Sequence, residues 1–125
     1  MPLTDDPGSW SPTIYAGATF DRTLTVTIGS AVVNLTGYDV RMMARVSTAS
    51  TATPAMSLGT ANGMTLGGTA GTIRILQAAT ATAALGSAFA NEVTPLVYDL
   101  ELQDGSGVVT RLLQGVVTIM PEVTR

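Results

Sequence analysis

Asp99 and Glu101 are the two side chains whose types and spacing could do chemistry. They lie two apart in an alternating stretch, so both carboxylates leave the same face of a strand, roughly 6.5–7 Å apart by strand rise. That spacing suits an inverting glycosidase, where one carboxyl protonates the leaving oxygen and the other activates water, or a hard cation. Arg41 and Arg45 share a face of their own segment by the same alternation. Cross-strand ion pairing of Asp99 and Glu101 with these arginines, on a solvated face, is the reading the sequence favours. Sugar hydrolysis would also need a deep cleft with aromatic platforms, and one Trp, three Tyr and two Phe hardly supply them. No catalytic residue is assigned, and the chain is not expected to be an enzyme.

Two further motifs read as turns. Asp104-Gly105-Ser106-Gly107 resembles part of a calcium loop, but the further acidic ligands and the closing Glu are missing. Gly67, Gly68 and Gly71 have neither the strand–loop–helix context nor the Lys of a phosphate-cradling loop. The composition removes most other chemistry. Without Cys or His there is no Ser-His-Asp triad, thiolate nucleophile or imidazole/thiolate zinc site. All six basic residues are Arg, so there is no Schiff-base lysine either. No metal and no cofactor is expected. A net charge of −3 gives no general attraction to phosphate backbones or anionic lipid, so neither nucleic acid nor membrane is an expected partner.

These residues must be positioned by strands. A length of 125 residues, rich in Thr, Ala, Gly and Val, fits one domain with a strand-forming composition. Residues 1–18 hold Pro2, Pro7, Gly8, Pro12 and Gly17 and read as an extended N-terminal arm. Residues 19–125 read as the single folded domain. Within it, Phe20, Arg22, Leu24, Val26 and Ile28 alternate with polar residues, and Gly29-Ser30 turns into a short strand from Val32 to Leu35. Tyr38, Val40, Met42, Ala44 and Val46 form the next inward face. Residues 47–63 read as a long loop with one short strand, followed by brief strands at 64–66 and 72–76. The Ala-rich segment 77–85, ending at Gly86, predicts a short helix with a glycine C-cap. Leu96, Tyr98, Leu100 and Leu102 face inward in the first strand of a long hairpin that turns at 104–107 and runs from Val108 to Met120. The expectation is an all-β, immunoglobulin-like β-sandwich of about seven or eight strands with one short helix.

Trp10 and Tyr15 sit in the arm, outside the alternating strands, and are the candidate partner contacts, since aromatics dominate interface energetics. Trp10 has a second reading, as a cap on the domain's own core. The scattered methionines read as pliable core filler. No signal peptide and no bilayer-length apolar run is visible, which predicts synthesis in a cytoplasm.

Two stretches carry a family resemblance. The run Thr19-Phe20-Asp21-Arg22-Thr23-Leu24-Thr25, followed by Val33-Asn34-Leu35-Thr36-Gly37-Tyr38-Asp39-Val40-Arg41-Met42, resembles the N-terminal immunoglobulin-like domain of phage baseplate upper proteins and related tail proteins. Tyr98-Asp99-Leu100-Glu101-Leu102, with Thr110 to Ile119 and Pro121 to Arg125, is similar to the end of small phage virion proteins. The resemblance implies a non-catalytic assembly module of the virion, made in the host cytoplasm. Its partners would be other phage structural proteins of the tail, baseplate, neck or fibre, met in many copies in a symmetric assembly. Because the sequence stops at Arg125, directly after the final strand, the resemblance further implies a standalone adaptor subunit. The alternatives are a capsid decoration protein and a carbohydrate-binding or adhesive β-sandwich.

Overall fold

Side chains that alternate apolar with polar can bury one face of an extended chain and wet the other, and most of this chain follows that pattern. The computed structural model describes residues 7–125. From the N-terminal side the strands are β1 (Gly8–Ser9), β2 (Thr13–Tyr15), β3 (Phe20–Thr25), β4 (Thr27–Ile28) and β5 (Ala31–Val32). Then come β6 (Asp39–Arg45), β7 (Met56–Thr60), β8 (Gly63–Leu66) and β9 (Thr72–Gln77). The helix α1 (Ala79–Ala88) leads into the long hairpin of β10 (Thr94–Gln103) and β11 (Val109–Met120).

Nine of these strands form one mixed sheet in the order β1-β11-β10-β6-β7-β8-β9-β3, with β2 following β1 along the same edge of β11. Strands β4 and β5 form a separate small hairpin. The sheet cannot be flat. Eight strand positions at ordinary spacing would put β2 and β3 about 34 Å apart, yet only residues 16–19 join them, a link reaching about 18 Å when fully extended. The sheet therefore curls until its two edges approach. Between β7 and β8, Ala61 takes a left-handed φ of 61° and Gly59 and Thr60 pair in parallel with Gly63 and Met64.

Curling encloses a single core. Val40, Met42 and Ala44 on β6, Leu96, Tyr98, Leu100 and Leu102 on β10, and Ile73 and Ile75 on β9 all point into it. A bulge between Leu100 and Glu101 lets consecutive Leu112 and Leu113 on β11 both face inward. Ile14 of β2 joins them, fully buried.

The mostly β architecture with one helix follows the sequence-based expectation, and several details differ for physical reasons. Segments of the arm and the excursion after Val26 add strands beyond the expected seven or eight. The expected strand from Phe20 to Ile28 breaks at Val26, whose N–H bonds the Gly71 carbonyl at 2.8 Å, and Ile28 ends exposed on β4. Arg22 keeps the parity of Phe20 but turns outward, with its guanidinium 4.8 Å from that ring's centroid. Val46 lies beyond the end of β6 and is exposed. The helix starts and ends later than 77–85, and Gly86 is inside it rather than capping it. The reason is close packing: a Cβ at Gly86 would come 2.8 Å from the Cβ of Ala16. The helix closes instead with left-handed Ala90 and Asn91, the N–H of Asn91 bonding the Gly86 carbonyl at 2.9 Å.

Candidate functional site

The outer face of β2, β11, β10 and β6 changes character along the strands. At one end the register sets Tyr15 beside Met120, and one step beyond the Thr94–Ile119 pair it brings Val93 to the same level. These three side chains are 57%, 36% and 58% exposed, although apolar side chains on β-strands are normally turned inward. The next rows are Thr13, Thr118 and Pro95, then Val116 and Val97 beside Arg45. Beyond them the face becomes charged, with Gln114, Asp99 and Met43 in one row and Arg111, Glu101 and Arg41 in the next.

In the charged region Arg41 Nε donates to Glu101 Oε1 at 2.7 Å, and Arg111 Nη2 lies 3.4 Å from Asp99 Oδ2. The expected pairing with Arg41 thus forms, but Arg45 does not take up a carboxylate. It stands opposite Val97, two residues from Asp99, and donates to the Ala52 carbonyl at 2.6 Å instead. Arg111 replaces it because the bulge on β11 aligns Arg111 with Glu101, next to Asp99. Asp99 and Glu101 line an open depression of about 400 Å³ with Met43, Arg45, Arg111 and Gln114. Both ion pairs are partly exposed, so each contributes no more than about 1 kcal/mol to stability. Chemically, this region offers paired donors and acceptors to a polar partner surface.

The turn motifs are occupied internally. Asp104 Oδ1 accepts hydrogen bonds from the Ser106 N–H, the Ser106 hydroxyl and the Val108 N–H. The Ser106 hydroxyl and these turn amides hold the Asp104 carboxyl below its ordinary range. Gly67 donates its N–H to the Thr72 carbonyl, while Gly68 and Gly71 accept from Leu35 and Val26. Among the described residues no three acidic side chains gather as a metal site.

The two arm aromatics have different environments. Tyr15 projects from β2 onto the outer face. Trp10 lies between β1 and β2, partly buried against the core, with its N–H 3.2 Å from the Gln114 carbonyl. Its own carbonyl accepts the hydroxyl of Tyr98, which crosses over Gly115 to reach it. Burial raises the Tyr98 phenol to about 12. Gly115 is bare for a reason, because a Cβ there would sit 2.2 Å from the Trp10 carbonyl oxygen. The remaining arm segments 1–6 lie outside the described residues.

Sequence reasoning missed Met120 and Val93 as neighbours of Tyr15, and it missed the Tyr98–Trp10–Gly115 contact. Two signals were present. A Tyr inside an apolar strand needs a partner for its hydroxyl, and a Gly inside a strand pattern marks a close backbone approach. A third residue gave no such signal: Thr82 of α1 is the only fully buried polar side chain among the described residues. Its Oγ1 accepts the Gly17 N–H at 3.1 Å and lies 2.8 Å from the Ala18 carbonyl, tying the link between β2 and β3 to the helix.

No protein-family model matches this sequence, and no similar sequence emerges among curated proteins. No helix of the described residues is long and apolar enough to cross a membrane.

Proposed function

We propose that this chain is a non-enzymatic structural subunit of a bacteriophage particle, of the tail, baseplate or neck, that docks neighbouring particle proteins in many copies. The observation that carries the reading is the outer face itself. An exposed apolar row of Tyr15, Met120 and Val93 merges into the paired charges of Asp99, Arg111, Glu101 and Arg41. An exposed apolar patch beside a polar, ion-paired one has the mixed composition of a protein-docking surface. The resemblance of the 19–42 and 98–125 stretches to phage tail and baseplate modules supplies the kind of particle. In this reading the curled sheet is an immunoglobulin-like sandwich, its halves meeting at the 61–62 corner. Copy number would follow from particle symmetry.

The test is to separate purified particles from an infected culture into heads and tails and seek this polypeptide in each by mass spectrometry. Presence with tails is the expected result. Presence on heads would replace the adaptor by a capsid decoration protein, and absence from both fractions would overturn the virion reading. Tyr15→Ser combined with Met120→Ser should leave the isolated chain folded, since both side chains already face water, while lowering its incorporation into particles.

A further inference from the structure

We propose that the arm segment of β1 and β2 exchanges between copies, so that the arm of one chain occupies the β11 edge of another. The inference concerns the purified chain and goes beyond the particle reading.

The edge of β11 is cut to this segment. The Trp10 N–H meets the Gln114 carbonyl at 3.2 Å, the Thr118 N–H meets the Pro12 carbonyl at 3.1 Å, and the Ala16 N–H meets the Met120 carbonyl at 2.8 Å. The Val116 N–H donates to Ser11 Oγ at 3.3 Å. Tyr98 reaches the Trp10 carbonyl across the bare backbone of Gly115, and Ile14 fills the core. A foreign strand would have to reproduce the carbonyl over Gly115, the hydroxyl at Ser11 and the isoleucine. The same segment of a second copy brings all three.

None of these contacts depends on which chain supplies the arm. Closed and exchanged forms therefore differ only in the link at residues 16–19 and in the entropy of association. The closed link is demanding. It must cross between the two sheet edges within four residues, and it reverses at Gly17, which has a left-handed φ of 83°. It also lies under the Glu122 carboxylate, which a Cβ at Gly17 would have to push aside. Short, constrained hinges of this kind favour exchange. The Thr82 hydroxyl, bonded to both Gly17 and Ala18, is the latch that favours the closed form. Crowding of copies tips the balance toward exchange by raising their effective concentration.

The chain has no cysteine, so an introduced pair reports unambiguously. Ser9 and Gln114 are register partners on the outer face, about 4.8 Å apart for neighbouring strands, which is within disulfide range. The Ser9→Cys, Gln114→Cys double variant would be folded at low and at high concentration, oxidised mildly and run on a non-reducing gel. The expected result is a cross-linked monomer when dilute. At high concentration, reducible dimers or longer ladders should exceed those of either single-cysteine variant. Cross-linked monomer alone at every concentration would overturn the proposal. Adding Gly17→Pro, which cannot adopt the left-handed φ, should raise the intermolecular fraction several-fold. Thr82→Val, a milder change that only removes the latch, should move it the same way. An intermolecular fraction unmoved by both would overturn the hinge argument.

Discussion

The sheet is finished differently on its two sides: the long strand β11 is covered by the arm strands β1 and β2, while β3 is left as an edge. On β11 a whole segment of chain is laid down, and its main chain, one buried isoleucine and one tyrosine hydroxyl fix it in register. On β3, which among the described residues pairs only with β9, protection comes from side chains. Arg22 folds over the Phe20 ring and donates to the Asp21 carbonyl at 3.0 Å, and Asp21 itself is bound by Arg74 through two hydrogen bonds of 2.8 and 3.0 Å. Those bonds hold the Asp21 carboxyl low and the Arg74 guanidinium high. An unpaired edge can template pairing with another chain, and charges on it discourage this without using up the edge. The β11 side is thus covered by a laid-down segment and the β3 edge guarded by charge, so the first should respond to packing changes and the second to charge changes.

The largest expected effect is on the covered edge. Ile14→Ala should cost about 2–5 kcal/mol by emptying a fully buried site, read as a lowered denaturant midpoint. An equal loss from an exposed β3 position such as Thr23→Ala would erase the contrast. Next comes alkaline pH. The Tyr98 phenol is raised from 10.0 to about 12 by burial, so its contribution is complete below pH 10 and is lost as pH rises from 10 to 12. That two-unit span corresponds to roughly 3 kcal/mol. A pH series of thermal melts should show the step, and Tyr98→Phe should abolish it. Gly115→Ala should follow, at about 1–3 kcal/mol, because backbone must yield around the Trp10 carbonyl. Protection of arm amides in hydrogen exchange would fall first. The smallest effect is at the guarded edge. Arg22→Ala should cost only about 0.5–1 kcal/mol yet increase light scattering on concentration, since it bares the edge. Scattering no greater than that of the parent chain would mean that Arg22 does not guard it.

The contrast also explains what could be read from the sequence. Residues 39–45 and 96–103 announce themselves because one face is buried and the other wet, which imposes a period of two. The Asp99 and Glu101 face followed from the same period, and so did the partnership with Arg41. The partnership with Arg111 did not, because it depends on a bulge that alternation cannot foresee. The arm strands are two and three residues long and pair in parallel across most of the chain, too short to show any period. Gly86 looked like a helix stop because glycine ends helices far more often than it admits a neighbouring alanine, and only the tertiary contact with Ala16 separates the two roles.

The bond between the Val116 N–H and Ser11 spans 105 residues. The hairpin of β10 and β11, by contrast, closes across a short turn. Loop closure makes distant pairings slow relative to local ones, so the hairpin forms early and arm docking comes late. During synthesis the arm emerges about a hundred residues before the strand that receives it and spends that interval without its edge. The order of synthesis itself gives each arm a period in which the β11 of an already finished copy is open to it and its own is not yet made.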